Sequence, residues 1–143
     1  MATDGVLVDA GPLVAILSVR DQFHRACTEA ARTIRGPFLT AWPVIAEAAH
    51  LLKGRGDCVE RLLELVRAER LRLLQVDSQD AAGISTILTR YSDQKFDLAD
   101  ATLMYSADRE SVDTVFTVDH RHFSIYRTSR GQSLTVVPDQ LQK

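Results

Sequence analysis

Four acids stand at positions where carboxylates can be brought together: Asp9, Glu47, Asp100 and Asp119, with Asp97 three residues ahead of Asp100. Asp9 and Asp119 each close a short apolar run, Val6-Leu7-Val8 and Thr114 to Val118. Asp97 sits where a helix N-cap belongs, and Glu47 and Asp100 fall in the opening turns of helices. Each position has a plain explanation. An Asp after a strand makes an Asx-turn, an N-cap Asp accepts a backbone N–H, and a second acid favours the positive end of the helix dipole. Taken together they imply more. If they converge, they repel, and some must take up protons unless a cation neutralises them. Hard divalent cations, Mg²⁺ or Mn²⁺, bind such oxygen ligands.

The elements that would position these acids follow from the apolar pattern. Residues 6–8 read as a strand buried on both faces, as in a parallel sheet. Pro12 suits the first position of the helix that follows. Asp21 suits the cap of a helix over 22–34, stopped by Gly36-Pro37. A short second strand over 38–41 leads into a helix from Pro43 to about 53, which carries Glu47. Asp57 suits the cap of a helix over 58–70. A third strand covers 71–76, a helix runs from Asp77-Ser78 to about 91, and a polar connection spans 92–95. The helix from Asp97 ends near 109–110, with Leu98, Ala101 and Met104 or Tyr105 on its apolar face. The clearest strand covers 114–118. A polar, aromatic loop with a short helix spans 120–126, and a last strand covers 133–137. Strands alternating with helices predict an α/β fold with a mainly parallel sheet. In such sheets ligands bind beyond the carboxyl ends of the strands, where strand order reverses. Asp9 and Asp119 would face one another there.

Composition narrows the functional classes. With 143 residues, 45% hydrophobic and 25% charged, the chain is expected to form one domain, residues 1–143. A net charge of −2 gives no global positive field. Its two cysteines, Cys27 and Cys58, do not make a disulfide framework. No apolar run reaches the roughly 18 residues of a membrane span, and the acidic N-terminus lacks the basic region of a secretory signal. A cytoplasmic protein is expected. His24, His50, His120 and His122 show no metal-ligand spacing with cysteine. Trp42 is expected in core or interface packing.

The order and spacing of Val6-Leu7-Val8-Asp9-Ala10-Gly11-Pro12-Leu13, Glu47, Asp97-Leu98-Ala99-Asp100-Ala101-Thr102-Leu103 and Thr117-Val118-Asp119-His120-Arg121-His122-Phe123 resemble the PIN-domain ribonucleases, specifically the VapC-type toxins of type II toxin–antitoxin systems. The resemblance implies a three-layer α/β/α sandwich around a five-stranded sheet of order 3-2-1-4-5. It implies Mg²⁺ or Mn²⁺ held by Asp9, Glu47, Asp100 and Asp119, with Asp97 as an additional acid. The implied reaction is metal-dependent hydrolysis of RNA. The implied partners are RNA, an antitoxin and a second copy of the chain, and Leu13, Ile16, Phe23 and Ile34 are candidate apolar interface residues. Arg121, His122 and Arg127 are candidate RNA contacts, set against a solvated polar loop. Thr117 either hydrogen-bonds a carboxylate or RNA phosphate, or is simply a β-branched strand residue. In one respect the chain departs from the pattern. Many members carry Ser or Thr just after the first Asp, whereas here Ala10 and Gly11 follow, which leaves the local support of Asp9 open. Two other classes fit the acids less fully: a phosphoryl-transfer or phosphatase-like enzyme, and a non-catalytic module that keeps the fold.

Overall fold

The computed structural model describes residues 4–141. Its centre is β1 (Val6–Val8), buried on both faces as an uninterrupted apolar strand should be. Around it stand β2 (Phe38–Thr40), β3 (Leu71–Leu73), β4 (Thr114–Phe116) and β5 (Thr135–Val137), in the order β3-β2-β1-β4-β5. Every pairing in the sheet is parallel. Chain order reverses beside β1, which has β2 on one side and β4 on the other. That is the switch point where a parallel sheet opens a crevice.

The helices are α1 (Ala10–Leu17), α2 (His24–Thr33), α3 (Trp42–Leu52), α4 (Cys58–Arg67), α5 (Ala81–Arg90), α6 (Leu98–Glu110) and α7 (His120–Ile125). Several ends differ from the sequence expectation. Helix α1 begins two residues before Pro12, because the Asp9 side chain accepts from the Ala10 N–H and starts the helix there. Asp21 does not cap α2. Its carboxylate accepts from the Phe23 N–H in the preceding turn. Asp57 makes no capping bond to α4, which ends at Arg67 rather than Arg70. The helix expected from Asp77 starts as a 3-10 turn over Ser78–Asp80. There Asp77 and Asp80 form a reciprocal capping box that tightens the first turn.

Helix α6 is buried along most of its length, polar residues included. Thr102 and Ser106 donate to the carbonyls of Leu98 and Thr102, each at 2.7 Å, so their buried hydroxyls are satisfied. Leu98, expected on the apolar stripe, is exposed in the first turn. Farther along, Tyr105 donates to Asp80 Oδ1 at 2.6 Å, and Arg109 pairs with the same oxygen at 3.1 Å. These bonds fix α6 against the segment that leads into α5. Leu13 is buried, and Ile16, Phe23 and Ile34 pack against the core. Of the apolar side chains that suggested an interface, Leu13 belongs to the core and the other three are only partly buried.

Gly11 controls how closely α1 approaches the end of β4. A methyl group there would overlap Val118 Cγ2, on the segment that joins Thr117 to Asp119. Gly11→Ala should therefore cost roughly 1–3 kcal/mol through overpacking, seen as a lower urea midpoint at unchanged slope. An unchanged midpoint would show that the close approach is not needed.

Candidate active site

Strand register brings the first pair of acids together. Val8 lies opposite Phe116, and the Asp9 N–H continues the ladder to the Phe116 carbonyl at 3.0 Å. The next residue on each strand, Asp9 and Thr117, is thus side by side at the crevice. Thr117 Oγ1 donates to Asp9 Oδ2 at 2.8 Å and accepts from the Asp119 N–H at 2.9 Å. Asp9 Oδ1 accepts from the Ala10 N–H at 2.9 Å. The missing Ser or Thr after Asp9 is thereby answered from another strand. A side chain at Gly11 would collide with Val118, and the hydroxyl that orients Asp9 comes instead from Thr117.

Asp100 reaches the same place from α6. Asp97 is the N-cap. Its Oδ1 accepts from the Asp100 N–H at 2.8 Å, and Asp100 Oδ2 accepts from the Asp97 N–H at 3.3 Å. The capping reading and the clustering reading are therefore both satisfied, since the reciprocal cap turns the Asp100 carboxylate toward Asp9. Asp119 caps α7 by accepting from the His122 N–H at 3.2 Å. Glu47, half-buried on α3, lies close enough to Asp97, Asp9 and Asp100 for their charges to act on it. His122 completes the group. Its Nδ1 lies 3.1 Å from Asp100 Oδ2 and 3.0 Å from Asp119 Oδ2. Its ring stands edge-on to buried Phe96, 5.0 Å between centroids.

The charges are poorly compensated. Burial, opposed by the Thr117 and Ala10 hydrogen bonds and reinforced by Asp97 and Asp119, raises Asp9 to about 6. Burial and the charges of Asp9 and Asp97 raise Asp100 to about 7, although His122 pulls it down. Burial and the neighbouring acids Asp97, Asp9 and Asp100 raise Glu47 to about 7 as well. Five carboxylates thus act on one another with one imidazole among them. A carboxylate-rich donor set that holds its charges only at a cost is the chemistry a divalent cation fits.

Some expected contacts fall elsewhere. Thr117, a candidate RNA contact, is 0% exposed and its hydroxyl is fully engaged between Asp9 and Asp119. Arg127 folds its Nη1 back onto the Ser124 and Tyr126 carbonyls, at 2.6 and 2.9 Å, closing the end of α7. That nitrogen is occupied by backbone rather than held out to a phosphate. His122 points Nδ1 into the acids, whereas Arg121 is exposed on α7. Trp42 is 58% exposed at the start of α3, so it is not a core residue. Both cysteines are buried and free, and burial, helped by Asp21, raises the Cys27 thiol to about 11, away from reactive character.

A PIN domain family model matches residues 6–128. The chain belongs to the PIN domain family. It is 27% identical over 135 residues to Ribonuclease VapC26 of Mycobacterium tuberculosis, spanning 93% of this chain and 100% of that protein. Its PIN fold also matches the crystal structure of Mycobacterium tuberculosis VapC20, described as a Sarcin-Ricin loop cleaving toxin. There the TM-score is 0.76 at 16% identity, over 82% of this chain and 92% of that one. At that identity the match speaks for the fold.

The raised carboxyls fix the sign of a pH effect. A carboxyl whose folded pKa lies above its unfolded value of about 4 contributes fully at low pH and loses that contribution as pH rises through the folded value. In chelator, Asp9, Glu47 and Asp100 should therefore destabilise the protein progressively between about pH 4 and about pH 7. Asp100→Asn should raise the melting temperature relative to wild type at pH 8 and not at pH 4. Calorimetry at both values checks this, and an equal difference at the two would contradict it.

Proposed function

We propose that this chain is a metal-dependent endoribonuclease, the toxin of a toxin–antitoxin pair, working as a single PIN-like domain over residues 1–143. The observation that carries the reading is the convergence of Asp9, Asp100 and Asp119 at the β1/β4 switch point. Likeness to Ribonuclease VapC26 along that protein's whole length supports RNA as the substrate. Asp9, Asp100 and Asp119 would hold Mg²⁺ or Mn²⁺, with Glu47 and Asp97 beside them. When bound, the ion supplies positive charge against the anionic phosphodiester and its transition state.

The chain's own residues do the rest. Thr117 and the Ala10 N–H fix the Asp9 carboxylate, and the Asp97 cap fixes Asp100. These carboxylates are oriented before a substrate arrives and need no rearrangement to act. Glu47, raised to about 7, is poised to take a proton from an attacking water near neutral pH. Exposed Arg121 contacts RNA phosphate at the rim. No helix among the described residues is long and apolar enough to cross a membrane, and a cytoplasmic location is part of this proposal. An antitoxin and a second copy of the chain are the proposed protein partners. Exposed Val19, Leu51 and Leu63 offer apolar contact for them.

Incubation of the wild-type protein with total cellular RNA and Mg²⁺ or Mn²⁺ should give discrete cleavage products. Chelator should abolish them, and Asp100→Asn should slow their formation at least about 100-fold, as expected when a group acting in the transition state is lost. Cleavage that persists in chelator, or at the wild-type rate in Asp100→Asn, would overturn the reading.

A further inference from the structure

His122 is the feature of the site that the acids do not explain. Carboxylate repulsion could be relieved by protons or by an ion from outside. Here an imidazole is built in, with one ring nitrogen at almost equal distance from two acids on different elements, Asp100 of α6 and Asp119 ahead of α7. Its orientation is fixed from three directions. The His122 backbone N–H donates to Asp119 Oδ1, the ring packs edge-on against Phe96, and the neighbouring Phe123 is fully buried and anchors α7. One ligand atom from each of Asp100, Asp119 and His122 lies within 4.8 Å of the others, a span that a single ion can bridge. In the ion-free state Nδ1 is within hydrogen-bonding reach of Asp100 Oδ2 when it carries the ring N–H, and it lies 3.0 Å from Asp119 Oδ2. With its proton on Nε2 instead, the same nitrogen presents a lone pair to the point where the two carboxylates meet.

We propose that His122 is itself a ligand of the divalent ion, and that this nitrogen donor tilts the site toward a first-row transition ion such as Mn²⁺ over Mg²⁺. The inference rests on the carboxylate site proposed above and concerns which ion that site prefers. Mg²⁺ keeps to oxygen ligands and retains several waters, so it gains little from an imidazole. Transition ions accept mixed oxygen and nitrogen donors, and affinity for nitrogen rises along the series from Mn²⁺. The imidazole that stands between two of these acids thus also sets metal choice.

The test loads the full-length protein with Mn²⁺ alone and records pulsed electron paramagnetic resonance. The wild-type spectrum should show a coupled ¹⁴N nucleus, replaced by ¹⁵N coupling after growth on ¹⁵N-histidine. His122→Gln should remove the coupling and lower the ratio of Mn²⁺ to Mg²⁺ affinity by about tenfold, the scale of a lost metal-site contact. Isotope labelling needs no substitution and tests for a histidine ligand even if His122→Gln fails to fold, and His120→Gln, which should keep the coupling, separates the two histidines of α7. Mn²⁺ bound without nitrogen coupling would overturn the role of His122 and leave the carboxylate site standing. Coupling that persists in His122→Gln would overturn it too, assigning the nitrogen to another residue. Failure of the wild-type protein to bind Mn²⁺ would overturn the role of His122, and failure to bind Mg²⁺ as well would overturn the carboxylate site.

Discussion

Mutual repulsion among buried carboxylates is the constraint around which this protein is arranged. Asp9 is 6% exposed at the end of the central strand, with Asp97, Asp100 and Asp119 near enough to influence it or one another electrostatically. Leaving charges there costs free energy, as the raised Asp9, Glu47 and Asp100 carboxyls record. Asp9, Asp100 and Asp119 are nevertheless held by donors that favour the charged form: Thr117 Oγ1 and the Ala10 N–H on Asp9, the Asp97 N–H and His122 on Asp100, and the His122 N–H on Asp119. The donors orient the carboxylates without neutralising them. So placed, the cluster is short of positive charge, which protons or a cation would supply.

The fold serves that arrangement at each step. Parallel pairing of β1 with β4 sets Asp9 beside Thr117, and Thr40 at the end of β2 ties off the Val8 carbonyl at 3.0 Å. Gly11 lets α1 close on Val118, which holds the Thr117–Asp119 segment against Asp9. On the other side of the crevice, the Tyr105–Asp80–Arg109 contacts seat the helix that carries Asp97 and Asp100. A fixed scaffold matters because a shift of about 1 Å in a reacting group can cost a hundredfold in rate.

Much of this was legible in residue order. Two apolar runs ending in Asp and a helix opening on Asp97-x-x-Asp100 were enough to expect the parallel sheet and the convergence of the acids. Resemblance to a known family supplied the strand order that the structure has. Helix starts were less legible, because Asp9, Asp21, Asp57 and Asp77 are equally good caps on paper, and tertiary contact decides which backbone N–H each one meets. Thr117 stood between two readings, and the placement of His122 was hidden, for a different reason. Thr117 is an ordinary strand residue until the register of β1 against β4 sets it beside Asp9. His122 is one of several polar residues in a loop until a six-residue helix and the Phe96 ring aim its Nδ1 inward. The Asp119-x-x-His122 spacing, one helical turn, was the available signal. It gains meaning only when α7 is known to be a helix. Sequence proximity to the site likewise did not show that Arg127 Nη1 meets the carbonyls at the end of α7.

The central claim is that these carboxylates form a cation site that the folded protein needs filled near neutral pH. Ligand that binds the folded state alone raises stability by an amount that grows with its concentration. The direct measurement is the melting temperature of the metal-free wild-type protein at pH 8, titrated separately with Mg²⁺ and with Mn²⁺ at constant ionic strength. The account predicts a saturable rise with at least one of the two ions, absent or much reduced in Asp100→Asn. A melting temperature that neither ion changes would contradict it.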